Sequence, residues 1–210
     1  MGSSTLIDIL SSMLIGGLLF LVALRMNDQA TSATFQCEEE LTVQENLTDL
    51  VEVLESDFRK IGYNSNPLVP FNNGQYIEVA DTSDIKFVAD LDNSGNYSTV
   101  EWKLNKNILN KASGARELDR IITDPKGNVT TYSYASAGVT TFLMQYYDKN
   151  VPVDTLTNLP IINNGTNMTV QTIQLTLSVV PTAAYDTAYS SSVSVWRQKR
   201  LASMNLKKGR

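Results

Sequence analysis

The sequence predicts an α+β protein: a long N-terminal α-helix, with a membrane or filament half and an amphipathic half, packed on a C-terminal antiparallel β-rich domain. Three observations lead there. Residues 6–24 are an almost unbroken apolar run, residues 26–61 lack proline and glycine, and beyond Gly62 the apolar residues alternate. Period two belongs to strands, whereas spacings of three and four belong to helices. The length, 210 residues, suits one domain with an accessory segment. The expected division is residues 1–25 as a short leader and transmembrane or filament-core helix, 26–62 as the helix's amphipathic continuation, and 63–210 as the β-rich domain with a basic C-terminal tail.

The apolar run comes first. As a helix, residues 6–24 would extend roughly 28 Å, about the thickness of a bilayer's hydrocarbon layer. Residues 1–5 contain no Lys or Arg, so the run reads as a retained anchor rather than a cleaved secretory signal. Asp8 lies near its start, where an ionised carboxylate must reach water, a cation or a bundle interior. It is a functional candidate, the alternative being a residue that rests at the headgroup level. Gly16 and Gly17 permit close helix packing. Arg25 is the single basic flank, so charge specifies orientation weakly.

The amphipathic half follows. Leu47, Leu50, Val51, Leu54, Phe58 and Ile61 form one apolar stripe. Glu45, Asp49, Glu52, Glu55 and Asp57 populate the remaining positions, and Gly62 is placed to end the helix through a left-handed cap. Such an element needs two burial environments: lipid or neighbouring helices first, then its own domain.

Residues 64–74 are a Pro/Asn/Gly loop, after which short antiparallel strands are expected at 76–79, 85–89, 100–104, 118–122, 141–147, 170–180 and 192–196. Residues 148–150 and 158–168 read as polar turns or loops.

Composition narrows the function. The chain has no histidine, which removes Ser-His-Asp and Cys-His catalysis and His-ligated metal centres. Its one cysteine, Cys37, supplies neither an internal disulfide nor a zinc site. With 17 Lys and Arg against 22 Asp and Glu, the net charge is −5, which argues against a nucleic-acid partner. No catalytic residue can be nominated, and an enzyme is not expected.

A metal candidate has to be weighed separately. Asp90, Asp92, Ser94, Asn96 and Glu101 stand at positions one, three, five, seven and twelve of a calcium-loop pattern, with Gly95 at six. The flanks read as strands, whereas the helix–loop–helix calcium site has helices on both sides. Two readings stand: a calcium site, or an Asx-rich hairpin whose side chains cap their own backbone. No cofactor is required by the expected fold, and calcium is the one candidate. At the C-terminus, Arg197, Lys199, Arg200, Lys207, Lys208 and Arg210 follow the last acidic residue, Asp186. This basic tail either docks on an acidic subunit surface or is a solvated, frayed end.

The order of these features resembles the type IV pilin-like superfamily. The segment Ser4-Thr5-Leu6-Ile7-Asp8-Ile9-Leu10 is similar to its F-T-L-I-E-L-L start, with Ser in place of Phe and Asp in place of Glu. Leu54-Glu55-Ser56-Asp57-Phe58-Arg59-Lys60-Ile61-Gly62-Tyr63 resembles the L-x-x-D-L-R-x-A-G-Y helix ending of PilW-type minor pilins and J-type minor pseudopilins of type II secretion. Ile85 to Asp92, Leu118-Asp119-Arg120, Phe142 to Asp148 and Val193 to Arg197 are similar to that family's strand pattern.

The resemblance implies a subunit anchored in the bacterial inner membrane with an extracytoplasmic C-terminal domain, later part of a cell-surface or periplasmic filament. Its implied partners are other pilin or pseudopilin subunits, met through the N-terminal helix, and a prepilin peptidase. Processing would fall after Gly2, or after Ser3 if Asp8 is aligned as the fifth mature residue. Asp8 then inherits the assembly role, pairing with a neighbouring subunit's terminal amine. The runner-up is a single-pass envelope protein whose β-rich ectodomain binds a ligand.

Overall fold

The computed structural model describes residues 2–66, 68, 76–111, 113–147, 161–162, 170–180, 194–201 and 206. It is α+β, as the periodicities require. Helix α1, Gly2–Arg59, is a single element of 58 residues. The chain divides into two compact units, Met1–Leu41 and Thr42–Arg210.

In the first unit every side chain described from residue 5 to 31 is exposed. Hydroxyl side chains there bond back to the helix: Ser12 Oγ donates to the Ile9 carbonyl, Thr31 Oγ1 to Asn27 and Thr34 Oγ1 to Ala30, each at 2.9 Å. Such bonds satisfy the hydroxyls without any outside partner, so they cost little in apolar surroundings.

In the second unit the apolar stripe goes inside. Leu50, Leu54, Phe58 and Ile61 are buried and Leu47 and Val51 pack against them, as the spacing predicts. Val43, four residues before Leu47, is buried too, so the stripe begins one turn earlier than the sequence reading placed it. The helix stops at Arg59, three residues before the expected end at 62. Lys60 N–H and Tyr63 N–H then donate to the Asp57 and Lys60 carbonyls at 3.0 and 2.7 Å. Gly62 follows at φ +70°, and its N–H donates to the Val88 carbonyl at 2.9 Å, tying the helix end to the sheet.

The sheet comprises β1 (Ile77–Ala80), β2 (Asp84–Ala89), β3 (Ser98–Asn110), β4 (Ala115–Thr123), β5 (Val129–Ser133), β6 (Val139–Tyr147), β7 (Ile161–Ile162), β8 (Thr172–Val179) and β9 (Ser194–Leu201), with a 3-10 turn at Ala135–Ala137. Among the described residues it has nine strands, eight of them in the order β7-β1-β2-β3-β4-β6-β8-β9, every pair antiparallel. The remaining strand, β5, branches off β4: Asp119 to Thr123 of β4 face β5, while Arg116 faces Val139 of β6.

One face of the sheet receives the helix stripe. Phe58 meets Phe87 of β2 edge to face, with centroids 5.9 Å apart and planes at 86°. Trp102, Leu118, Met144, Tyr146, Leu175 and Leu177 complete the core around Leu50 and Leu54. Alternation does not hold throughout β8, where Gln174 and Ser178 on the opposite face are also buried. Gln174 is engaged there, its Oε1 accepting from the Tyr147 hydroxyl at 3.1 Å.

Strands overlap all seven expected ranges, with ends shifted or extended except in β8, which is shorter at both ends than the expected 170–180. β5 was not expected, and Ile161–Ile162 lies inside a stretch read as loop. The turn expected at 148–150 falls outside the described residues, as does most of the 64–74 loop.

Candidate functional site

The first candidate surface is the exposed half of α1. Leu6, Ile7, Ile9, Leu10, Met13, Leu14 and Ile15, followed by residues 18–22, are all exposed large apolar side chains. Continuous apolar exposure on this scale marks a surface that lipid or another protein covers. The helix is long and apolar enough to cross a membrane, a property shared by anchors and signal sequences. Asp8 lies on this surface and is exposed. Arg25, the nearest basic residue in sequence, is 17 positions on, about 25 Å along the axis, so it cannot neutralise Asp8 within one helix. Spacing puts Asp8 on the same side as Ser11 and Ser12, giving the apolar surface one polar stripe. Gly2 and Ser3 lie in the helix's opening residues.

The second candidate lies where the helix meets the sheet. Asp57 is a correction to the sequence reading, which placed it off the apolar stripe of α1. It is 3% exposed. It stands three residues after Leu54 and seven after Leu50, so it shares their stripe and enters the core with them. Its charge is matched there. Arg120 of β4 donates Nε to Oδ2 at 2.6 Å and Nη2 to Oδ1 at 2.7 Å, and the Trp102 indole N–H reaches Oδ2 at 2.9 Å. The guanidinium stands 5.9 Å from the Trp102 ring centroid and 5.8 Å from that of Tyr132. Burial works against the Arg120 charge, but the Asp57 hydrogen bonds and charge outweigh it and hold the guanidinium above its ordinary value.

A cleft of about 330 Å³ opens beside this pair, lined by Glu52, Val53, Ser56, Asp57, Lys60, Leu91 and Arg120. Two cations face two carboxylates, and Asp57 and Arg120 spend their charge on each other. Lys60 Nζ donates to the Leu91 carbonyl at 3.4 Å. The cleft therefore offers little surplus charge to a ligand.

Of the calcium-pattern residues, Asp90, Asp92, Ser94 and Asn96 sit in the turn between β2 and β3, a strand–loop–strand setting. Asp90 is fully buried and its carboxylate is occupied by protein donors. Ser65 N–H and Oγ–H reach Oδ2 at 3.1 and 2.6 Å, Gly95 N–H reaches it at 3.0 Å, and Ser94 N–H reaches Oδ1 at 3.1 Å. Asp92 accepts from the same Ser94 N–H at 3.2 Å, and Ser94 Oγ accepts from Asn96 N–H at 3.4 Å. Burial alone would raise the Asp90 carboxyl, but the Ser65 and Gly95 hydrogen bonds reverse that and hold it down at about 2. Glu101 is not gathered in: it lies on β3, 3.8 Å from Lys103 Nζ. Among the described residues no three His, Cys, Asp or Glu side chains group to hold a metal. The geometry is that of an Asx-rich turn pinning residues 65 and 90–96 together.

The basic tail is also redrawn. Arg197, Lys199 and Arg200 belong to β9, paired with β8, rather than to a frayed end; Lys207, Lys208 and Arg210 lie outside the described residues.

Comparison with protein-family models, with curated proteins and with solved structures finds no match. The architecture itself, a long N-terminal apolar helix followed by an antiparallel sheet, is pilin-like.

Proposed function

We propose that this chain is a structural subunit, a minor pilin or pseudopilin that joins or primes a type IV pilus-like or type II secretion filament. One observation carries the reading. A single helix is apolar and wholly exposed through its first half, and it buries a stripe in its own domain through its last turns. A membrane anchor needs the first property alone. A filament subunit needs both, because its helix must leave lipid for a bundle of like helices without losing its grip on the domain.

In this account α1 holds the chain in a bacterial inner membrane, with the β domain outside the cytoplasm. Neighbouring subunits replace lipid around the apolar residues on assembly. Asp8, with no Lys or Arg within reach on its own helix, finds its cation on a neighbour, a terminal amine freed by a prepilin peptidase acting after Gly2 or Ser3. In a dry bundle such a pair fixes register more than it adds net stability, since desolvation offsets much of the attraction. The role is structural, with no catalytic group and no required cofactor.

The test is the N-terminal mass of the chain recovered from membranes of cells that also make its prepilin peptidase. Loss of residues 1–2 or 1–3, with a methyl group on the new amine, supports the proposal; an intact start counts against it. The cleft beside Asp57 favours one other reading, an envelope protein that binds a small neutral ligand there. Removing the anchor separates the two, since ligand binding would survive it and assembly would not.

A further inference from the structure

Among the described residues, strand β5 lacks the protection seen at three other edges of the sheet. An edge strand displays unpaired N–H and C=O groups that another strand can join, and proteins guard such edges with charge, bulges or brevity. At one end of the sheet β7 is two residues long. At the other, β9 carries Arg197, Lys199 and Arg200. The far part of β3, past its pairing with β2, carries Lys106 and two register irregularities. β5, Val-Thr-Thr-Tyr-Ser, has no charge, no proline and no irregularity in its pairing with β4.

All five β5 residues are exposed, and among the described residues β4 is its sole partner. The strand is nonetheless held firmly. Asp124 caps the preceding turn by accepting from Lys126 N–H and Asn128 N–H, both at 2.8 Å. At the other end Ser133 Oγ donates to Asp119 at 2.5 Å.

The ladder fixes which groups face outward. Asp124 N–H donates to the Asn128 carbonyl at 3.0 Å and Tyr134 N–H to the Leu118 carbonyl at 2.9 Å, bracketing β5 with bonds at even positions. Alternation in an antiparallel pair then turns Thr130 and Tyr132 toward β4 and leaves the N–H and C=O of Val129, Thr131 and Ser133 facing outward.

We infer that β5 is a pairing surface for a second copy of this chain, joined antiparallel with Thr131 opposite Thr131 of the other copy. That register pairs Val129 with Ser133 and Thr130 with Tyr132, combinations that place no like charges opposite each other and include a β-branched residue in every pair. The cationic edge of β9 cannot do this, because self-pairing would set Lys and Arg against Lys and Arg. The contact is isologous, so it closes on two copies and does not propagate. It therefore goes beyond the filament reading, which rests on α1.

The test uses the full chain in detergent micelles, with Cys37→Ser as background and single cysteines introduced as Thr131→Cys or Val129→Cys. Paired residues in the proposed register stand about 5.5 Å apart at their Cα atoms, within disulfide range, whereas Val129 would lie about 14 Å from its own counterpart. Oxidation should cross-link Thr131→Cys several-fold more than Val129→Cys. Mixing Val129→Cys with Ser133→Cys chains should restore cross-linking. Adding Thr131→Lys or Thr131→Pro to both partners of that mixture should abolish it, the proline removing an outward N–H that β4 does not use. Equal, weak cross-linking at residues 129 and 131 would overturn the inference. So would a dimer that persists, still cross-linked, in both Thr131 variants.

Discussion

Asp57 and Arg120, 63 residues apart, close a two-point ion pair, Oδ2 to Nε at 2.6 Å and Oδ1 to Nη2 at 2.7 Å, across the junction of helix and sheet. With the Trp102 N–H on the same carboxylate, it fixes how α1 lies against β3 and β4. Removing one member leaves the other charge buried and unpaired, which costs about 3–5 kcal/mol. Asp57→Ala and Arg120→Ala are each predicted to lower stability by that order in urea unfolding. The double variant should be less damaging than the sum, and strict additivity would show that the pair does not act as a unit.

Gly62 carries a second constraint on the same junction. It sits at φ +70°, and a Cβ built there would stand 2.5 Å from Tyr76 Cγ. Gly62→Ala therefore pays the left-handed backbone cost, roughly 1–2 kcal/mol, and must also displace an aromatic ring. Gly127 has φ +88° with nothing near its Cβ position. Gly127→Ala should cost the backbone part alone, so a clearly smaller fall in thermal midpoint than for Gly62→Ala is expected.

Acid should expose the Asp90 turn. Its carboxyl falls from 3.8 to about 2 on folding, so its ionised form stabilises the fold. That stability is complete above about pH 4 and is lost as pH falls through about 2. The gap in thermal midpoint between wild type and Asp90→Asn should hold from neutrality to about pH 4, then narrow below it. Asp84 has the opposite sign. Burial pushes its carboxyl up, the Lys103 ammonium 3.4 Å from Oδ2 only partly compensates, and the buried Oδ1 has no hydrogen-bond partner among the described residues. Its contribution is greatest below pH 3.8 and declines as pH rises past its folded value, so Asp84→Asn should be best tolerated near neutrality.

Calcium should leave the midpoint unchanged, since every Asp90 contact named here is to a protein donor. A calcium-dependent rise that disappears in Asp90→Ala/Asp92→Ala would show that the turn opens to bind metal.

Much of this fold was readable from spacing. Leu50, Leu54, Phe58 and Ile61 recur at three and four, and Ile173, Leu175, Leu177 and Val179 at two, because each set faces a core. β5 escaped because both its faces are exposed, which leaves no alternation to detect. Asp57 escaped because an acidic residue does not count toward an apolar stripe, although its spacing from Leu50 and Leu54 puts it on the buried one. Its partner lies on a strand 63 residues away, and no local pattern announces that pairing. The calcium pattern of residues 90–101 was legible as spacing, but spacing could not say that Ser65, 25 residues away, donates to Asp90.

The account's central claim is that the exposed half of α1 is an assembly surface in which Asp8 finds its counter-charge on a neighbour. The most direct test compares filaments sheared from cells making wild type or Asp8→Ala, scored for the content of this subunit, with thermal unfolding of the purified chain as the control for folding. The account predicts strongly reduced incorporation of Asp8→Ala with an unchanged unfolding midpoint, because Asp8 is exposed and no described residue of its unit is in the buried core. Wild-type filament yield and subunit content in Asp8→Ala would contradict it.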